Sequence, residues 1–559
     1  MSGGSNVPPA LTVQANGVAV LTDQYMNGLV QGGALLPQIR SFTGLSGMNV
    51  WMLGFAVPND GGQGMFYWNA SAIQADDGGV TTIQPNGALY GRWIRQDATA
   101  GAAALVTNIA SLRAATSRTF SAAVAYVEGY YTGADGGEGM FWYASTDTSS
   151  ADNGGTIIVD ASNRRWHRET GGDPYSVKWF GATGNGATDD TSAIQSTVTS
   201  LPAAGGEVFF PAGTYKTSSA VAVVNSNISL AGVNNVASVI APSSATANVF
   251  NFSGQFYEVS DLGVIPSVTS TGGVFFNFAD GNVWLHRVFT NGGWSVLRFN
   301  GGAQTFVSDC LFDNFHQDGI AYTSGYGGLA TLNNIEMNCS GGTNSGSAII
   351  CLSGDTFTWD NVHSQGCSTG AYIQTATSGS FIRNIFATNV LMDGAGSSTS
   401  AGSRWLINNS IGTDVQRVRL TNCRAGAGPS HGFEIFNVQE CVLTACIAVD
   451  NARHGFLLTG TGNNAINLNG CTATGNSATS TGTYDGVHVD SGVSGFTIAN
   501  GFYLPIGSAG ATQGWGINID TGASDHYVIT GNQLWGNPTG ALYNGGTGGN
   551  TYVAGNLTS

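Results

Sequence analysis

A glycine followed by a short β-prone run returns along the second half of this chain. It occurs at Gly319-Ile320, Gly370-Ala371, Gly432-Phe433, Gly455-Phe456, Gly486-Val487 and Gly514-Trp515. Self-similarity at intervals of roughly 20–50 residues marks a solenoid, in which each repeat buries its apolar side only against its neighbours. Alternation within a run sends Phe433 and Ile435 one way and Glu434 and Phe436 the other. The aligned pairs Phe456/Leu458, Val487/Val489 and Trp515/Ile517 are apolar, so this set faces the core. Glu434, Leu457 and His488 then share one outward column. Phe436, Thr459, Asp490 and Asn518 share the next.

The cysteines carry a second periodic mark. Cys310, Cys339, Cys367, Cys423, Cys446 and Cys471 follow similar tripeptides, with spacings of 29, 28, 56, 23 and 25 residues. The longest spacing reads as two turns with Asn389 inside it, and Gly501 and Asn532 continue the series. A small residue returning once per turn predicts an internal stack of buried, reduced thiols. None of the eight cysteines has zinc-ligand spacing.

Composition supports strands over helices. There are 83 glycines, 13 prolines, and only 9% charged residues in 559. Few charges leave little material for helix surfaces, while 42% hydrophobic residues argue against disorder. The net charge of −16, with no basic stripe, disfavours nucleic acid and anionic membranes. No apolar run is long enough to span a bilayer. The opening residues lack the cationic and apolar regions of a signal peptide, so release by lysis is expected.

One local stretch narrows the fold further. Trp179-Phe180-Gly181-Ala182-Thr183-Gly184-Asn185-Gly186-Ala187-Thr188-Asp189-Asp190-Thr191-Ser192-Ala193-Ile194-Gln195 is followed by Gly205-Gly206-Glu207-Val208-Phe209-Phe210-Pro211-Ala212-Gly213-Thr214-Tyr215. Its glycines break regular structure. Asp189 or Asp190 stands where a helix N-cap accepts orphan N–H groups, and Ser192 and Gln195 add capping-box spacing. A short helix here would cover the open end of a solenoid, whose strand edges are otherwise unpaired. The Asp189-Asp190 pair therefore reads as capping rather than catalytic. The whole stretch resembles the opening of the pectate-lyase-like right-handed β-helices of phage tailspikes and rhamnogalacturonases. The resemblance implies an all-β chain: a right-handed single-stranded parallel β-helix, expected at about 12 turns. It also implies a polysaccharide held along the helix side.

Upstream, two segments repeat each other. Gly64-Met65-Phe66-Tyr67-Trp68 parallels Gly139-Met140-Phe141-Trp142-Tyr143, Asp77-Gly78-Gly79 parallels Asn153-Gly154-Gly155, and Arg92-Trp93-Ile94-Arg95 parallels Arg165-Trp166-His167-Arg168. The expected order is an arm or attachment segment at 1–35, small β modules at 36–97 and 98–170, and the β-helix at 171–559 with a capping helix near 189–200. The modules resemble those placed before the β-helix in phage tail proteins. A module this small needs Trp68, Trp93, Trp142 and Trp166 for its core.

Glycosidic hydrolysis uses two carboxyl groups roughly 5–10 Å apart. Strands of adjacent turns lie about 4.8 Å apart, so carboxyls one or two turns apart meet this requirement. The densest cluster of suitable residues runs from 431 to 490. Glu434, Asp450, Asp485 and His454 are the catalytic candidates, with Glu434 as the acid and Asp450 or Asp485 as the base. His431, Arg453, His488 and Asp490 are the substrate-binding candidates. Asp318 and Glu336 form a second choice in earlier turns. The resemblance implies a phage tailspike depolymerase that hydrolyses a bacterial surface polysaccharide, located on the virion tail and acting at the host surface. It also implies a homotrimer, attached to the tail or baseplate through the N-terminal region. The rivals are a lyase acting by β-elimination, with Arg453 and His454 or bound calcium neutralising a uronate, and a non-catalytic glycan-binding adhesin. Hydrolysis requires neither metal nor cofactor.

Overall fold

The computed structural model describes residues 11–13, 19–21 and 34–559, except 42, 45–47, 55, 57–63, 77–78, 80–81, 96–103, 117–122, 340–345, 376, 378–379, 395–401, 411–413 and 507–512. Most of the expected arm at 1–35 lies outside the described residues. The chain forms two compact units that divide near residue 173.

The duplication read in the sequence is a duplication of topology. The first module has strands Ala34–Leu35, Asn49–Gly54, Gly64–Asn69, Thr82–Ile83 and Arg92–Arg95. The second has Ala104–Val106, Val124–Val127, Gly139–Tyr143, Ile157–Val159 and Arg165–Arg168. Both sheets place the fifth strand between the third and fourth, and only the first two strands run parallel. Equivalent arginines cover equivalent phenylalanines, Arg95 over Phe66 and Arg168 over Phe141. Trp68, Trp93 and Trp166 are buried in the module cores as expected. Trp142 is not, at 44% exposed. Its repeat partner is Tyr67, on the outward register of the strand, so strand alternation excludes it from the core.

The second unit is a right-handed parallel β-helix. One sheet stacks 13 parallel strands from Val221–Val223 to Gly540–Gly546, giving 13 turns rather than about 12. A 24-stranded sheet wraps the remaining sides. In its middle turns, strands such as Gln304–Phe315, Leu329–Cys339 and Gly354–Gln365 run through a corner. At that corner Asp309, Asn334, Asn361, Asn389 and Asn422 all adopt positive φ, between 52° and 55°. Asn and Asp tolerate this conformation better than other non-glycine residues. Their side chains also bond between turns: the Asn334 amide donates to Asp309, Asn361 to Asn334, and Asn422 to Asn389.

This corner corrects the cysteine series. The register places Cys310, Ile335, Val362, Val390, Cys423, Cys446 and Cys471 in one buried column, with Gly501 and Asn532 continuing it. Asn389 sits one residue earlier, on the exposed corner. Cys339 and Cys367 lie outside the column and form a disulfide, with Cα atoms 5.0 Å apart. A spacing near one turn thus hid a shift of several residues along the strand.

The recurrent glycine has a steric cause. A Cβ at Gly432 would lie 2.5 Å from the Gly455 carbonyl oxygen. At Gly455 it would meet Gly486, and at Gly486 Gly516, each at 2.7 Å. The chain approaches the next turn too closely there for any side chain. The fourth member is Gly516, not Gly514, because Val487 pairs with Ile517 and Val489 with Ile519. The expected register at Trp515 is therefore two residues off. Phe433 and Ile435 are fully buried, as expected.

The capping helix is Thr191–Ser200, burying Ala193, Ile194, Thr197 and Val198. Asp189 accepts from the Thr191 N–H and hydroxyl. Asp190, 1% exposed, accepts from the N–H groups of Thr183 and Gly184 and the Thr183 hydroxyl. Gln195 does not close a capping box. Its amide donates to the Ala222 carbonyl and accepts from the Ala222 N–H. It thereby acts as one residue of an extra strand on the first edge of the 13-stranded sheet.

Candidate functional site

The site is built on the outer face of the 13-stranded sheet. Just before the glycine column, one position per turn carries a polar residue: Asp318, Ser347, Thr369, Ser403, His431, His454 and Asp485, all buried. Two residues after the glycine lies an outward column of Leu406, Glu434, Leu457, His488, Asn518 and Tyr543. Two further on, Thr459 is followed by Asp490 and Asp520, the residues after the paired Val489 and Ile519. Strand pairing thus lines up side chains from successive turns on one face.

His488 is the centre of this arrangement. Its Nδ1 lies 2.8 Å from the Asp485 carboxylate, which is itself held by the Trp515 N–H at 2.9 Å and the Asn518 amide at 3.0 Å. Its Nε2 lies 3.3 Å from Asp490 and 3.6 Å from Asp520. These two carboxylates are 41% and 45% exposed, whereas Asp485 is only 4% exposed. Asp490 also accepts from the Thr459 hydroxyl. Three imidazoles stack along the sheet, His431 on His454 at 5.2 Å and His454 on His488 at 4.2 Å. Tyr484 meets His454 edge-on at 5.0 Å, and the exposed Arg453 lies over Tyr484 at 6.0 Å.

Environment separates the three histidines. Burial and the positive charge of Arg453 push His431 down to about 4. Burial and the neighbouring cations push His454 further, to about 2. Burial also opposes charge on His488, but Asp485, Asp490 and Asp520 outweigh it and raise it to about 9. At neutral pH the stack therefore holds one imidazolium, aimed by Nε2 at two exposed carboxylates. The hydrogen bond to His488 keeps Asp490 below the ordinary carboxylate range.

The structure brings together His431, Arg453, His454, Asp485, His488 and Asp490 among the residues expected from sequence. Glu434 lies in the His488 column, two strands away, and accepts from the Ser403 hydroxyl at 2.5 Å. Asp450 sits on the corner after Ile447–Val449, with φ of 55°. Asp318 occupies the same buried column as His431, four strands earlier, and burial raises its pKa. Glu336 is exposed on the other sheet, in the strand Leu329–Cys339. Sequence reasoning missed Asp520, Asn518 as the neighbour of His488, and Tyr484. Gly516-Ile517-Asn518-Ile519-Asp520 repeats the pattern of Gly486-Val487-His488-Val489-Asp490 and was the available signal.

Two trios, His454/Asp485/His488 and His488/Asp490/Asp520, bring possible metal-ligating atoms within 4.8 Å of one another. In the first, His454 Nδ1 already accepts the Asp485 N–H at 2.9 Å. In the second, His488 Nε2 faces the two carboxylates at 3.3 and 3.6 Å.

Comparisons with known proteins follow this anatomy. The phage tail protein small four-stranded β-sheet domain matches residues 38–98 and again 105–171. The rhamnogalacturonase A/epimerase, pectate lyase-like family matches residues 175–427, ending just before His431. No curated protein matches the chain. Among solved structures, the A-module of mannuronan C-5 epimerase AlgE6 from Azotobacter vinelandii is 18% identical with a TM-score of 0.44, covering 69% of this chain and 99% of that one. The enzymatically active domain of bacteriophage CBA120 tailspike protein 2 is 16% identical with a TM-score of 0.46, covering 77% of this chain and 57% of that one. A tailspike of Acinetobacter baumannii bacteriophage Fri1, a capsular polysaccharide depolymerase, is 14% identical with a TM-score of 0.45, covering 82% and 76%.

Proposed function

We propose that this chain, a tailspike of the pectate-lyase-like superfamily, binds and cuts a bacterial surface polysaccharide by endo-acting hydrolysis on the outer face of its 13-stranded sheet. The reading rests on one observation: Asp490 and Asp520 project from adjacent strands with the His488 imidazolium between them. Two carboxyls at short range around a glycosidic oxygen are what retaining hydrolysis requires. Asp490, held ionised, is the nucleophile or base. His488 Nε2, facing both carboxylates, gives its proton to the leaving oxygen as the glycosidic bond breaks and Asp490 bonds the sugar; water then displaces Asp490 and returns a proton to the imidazole, with Asp520 stabilising the charge. Asp485 fixes the imidazole orientation through Nδ1. The exposure of Asp490 and Asp520 on the outer face of the sheet leaves them open to an internal segment of a long polymer.

A second reading is elimination. Arg453 over Tyr484 puts a cation beside a phenol, the pairing needed to neutralise a uronate and abstract its proton. On either reading the chain acts from the virion tail at the host surface, held there through its N-terminal modules.

The test is to incubate host polysaccharide with the wild type and with Asp490→Asn and Asp520→Asn, following polymer size by light scattering. Loss of cutting with retained glycan binding in both variants supports the assignment. Undiminished cutting in both would place the chemistry elsewhere on the sheet.

A further inference from the structure

Trp142 lies in the N-terminal unit, outside the β-helix site. Its place on the outward register of Gly139–Tyr143 leaves it 44% exposed, a costly position for the largest apolar side chain. A cleft of about 490 Å³ opens beside it, lined by Trp142, Met140, Tyr143, Met65, Asn49 and Glu169 among others. Met65 and Met140 are equivalent positions of the two repeats, so the duplication itself supplies facing walls. The indole packs against His167 of the neighbouring strand, ring centroids 5.0 Å apart, and His167 is tied to Asp147 at 2.7 Å. The indole is therefore fixed by a polar buttress while part of it stays open to solvent.

The cleft falls in the size range of small-ligand sites, roughly 300–1,000 Å³, with mostly apolar walls and few polar groups. An aromatic platform with an amide and a carboxylate nearby suits a ligand with one apolar face and a rim of hydroxyls. We propose that this cleft binds one pyranose residue of a glycan. The sugar's C–H face lies on Trp142, and its hydroxyls bond to Asn49 and Glu169. The chain would then hold its polymer at two places, only one of which cuts.

The experiment uses the full chain carrying Asp490→Asn and labelled with 5-fluorotryptophan. The Trp142 fluorine signal is assigned by its absence in Trp142→Phe. Methyl β-glucopyranoside and methyl β-galactopyranoside are titrated into the millimolar range, about where single-sugar sites bind. The expected result is a saturable shift of the Trp142 signal by at least one sugar, weakened about tenfold by Glu169→Gln. A Trp142 signal unmoved by both sugars overturns the proposal, as does a shift that Glu169→Gln leaves unchanged. Thermal unfolding of each variant confirms that the module is intact. A failed β-helix assignment leaves this readout untouched, because it is taken at Trp142 itself.

Discussion

His454 accepts a hydrogen bond at Nδ1 from the Asp485 N–H, at 2.9 Å. This single bond fixes the tautomer of a buried imidazole. The proton must sit on Nε2, and the ring stays neutral while His488, stacked on it at 4.2 Å, is charged. A backbone contact between two turns thus concentrates the positive charge of the stack on the histidine that faces Asp490 and Asp520.

Stability should respond to pH in opposite senses at two histidines. His488 is raised from 6.5 to about 9, so its contribution is full below 6.5 and is lost as pH rises through 9. His431 is lowered from 6.5 to about 4, so its contribution is full above 6.5 and is lost as pH falls through 4. Melting temperature against pH should therefore show an alkaline decline that His488→Gln flattens. An unchanged alkaline limb in that variant would contradict the assigned charge state.

Turnover should fall by about 10²–10⁴-fold in Asp490→Asn, Asp520→Asn and His488→Gln, the usual size of an acid–base contribution. Glu434→Gln should stay within about tenfold of wild type, because Glu434 is two strands away and engaged by Ser403. Steady-state rates on the same polysaccharide decide this. A collapse in Glu434→Gln with near-normal Asp520→Asn would restore the assignment expected from sequence.

Six thiols should titrate under denaturant without reductant, those of Cys310, Cys351, Cys423, Cys441, Cys446 and Cys471. Reduction should release two more, from Cys339 and Cys367. Eight thiols before reduction would show that the bridge does not form.

The bonds that tie the capping helix to its surroundings should matter to stability. Asp190→Ala removes a buried carboxylate that accepts three hydrogen bonds, and should cost about 3 kcal/mol or more. Gln195→Ala, which unpairs Ala222 on the sheet edge, should cost about 1–3 kcal/mol. Urea unfolding of the two variants measures both.

Much of this architecture was legible because its causes are local. The glycine column reflects close approach of one turn to the next, and Asp189 accepts the N–H of Thr191 at the helix start, whereas Asp190 makes no cap bond and holds Thr183 and Gly184 instead. The Trp68/Trp93 and Trp166 cores follow from the repeat. The cysteine column was legible at Cys310, Cys423, Cys446 and Cys471 but not between them, because branched residues at Ile335, Val362 and Val390 fill the same space as cysteine. Asp520 was missed because Gly514 and Gly516 both offered a strand start, and only the pairing of Val487 with Ile517 chooses between them. Outward residues such as Glu434 and Asp490 differ only in their cross-strand neighbours, which a linear pattern does not contain.

The most direct measurement is mass spectrometry of polysaccharide digested in ¹⁸O-labelled water. The hydrolytic account predicts products that gain the mass of one water and carry one ¹⁸O at the new reducing end, with no such products from Asp490→Asn or Asp520→Asn. Products that lack the label and bear an unsaturated terminal sugar would contradict it, and would assign the His488 site to elimination.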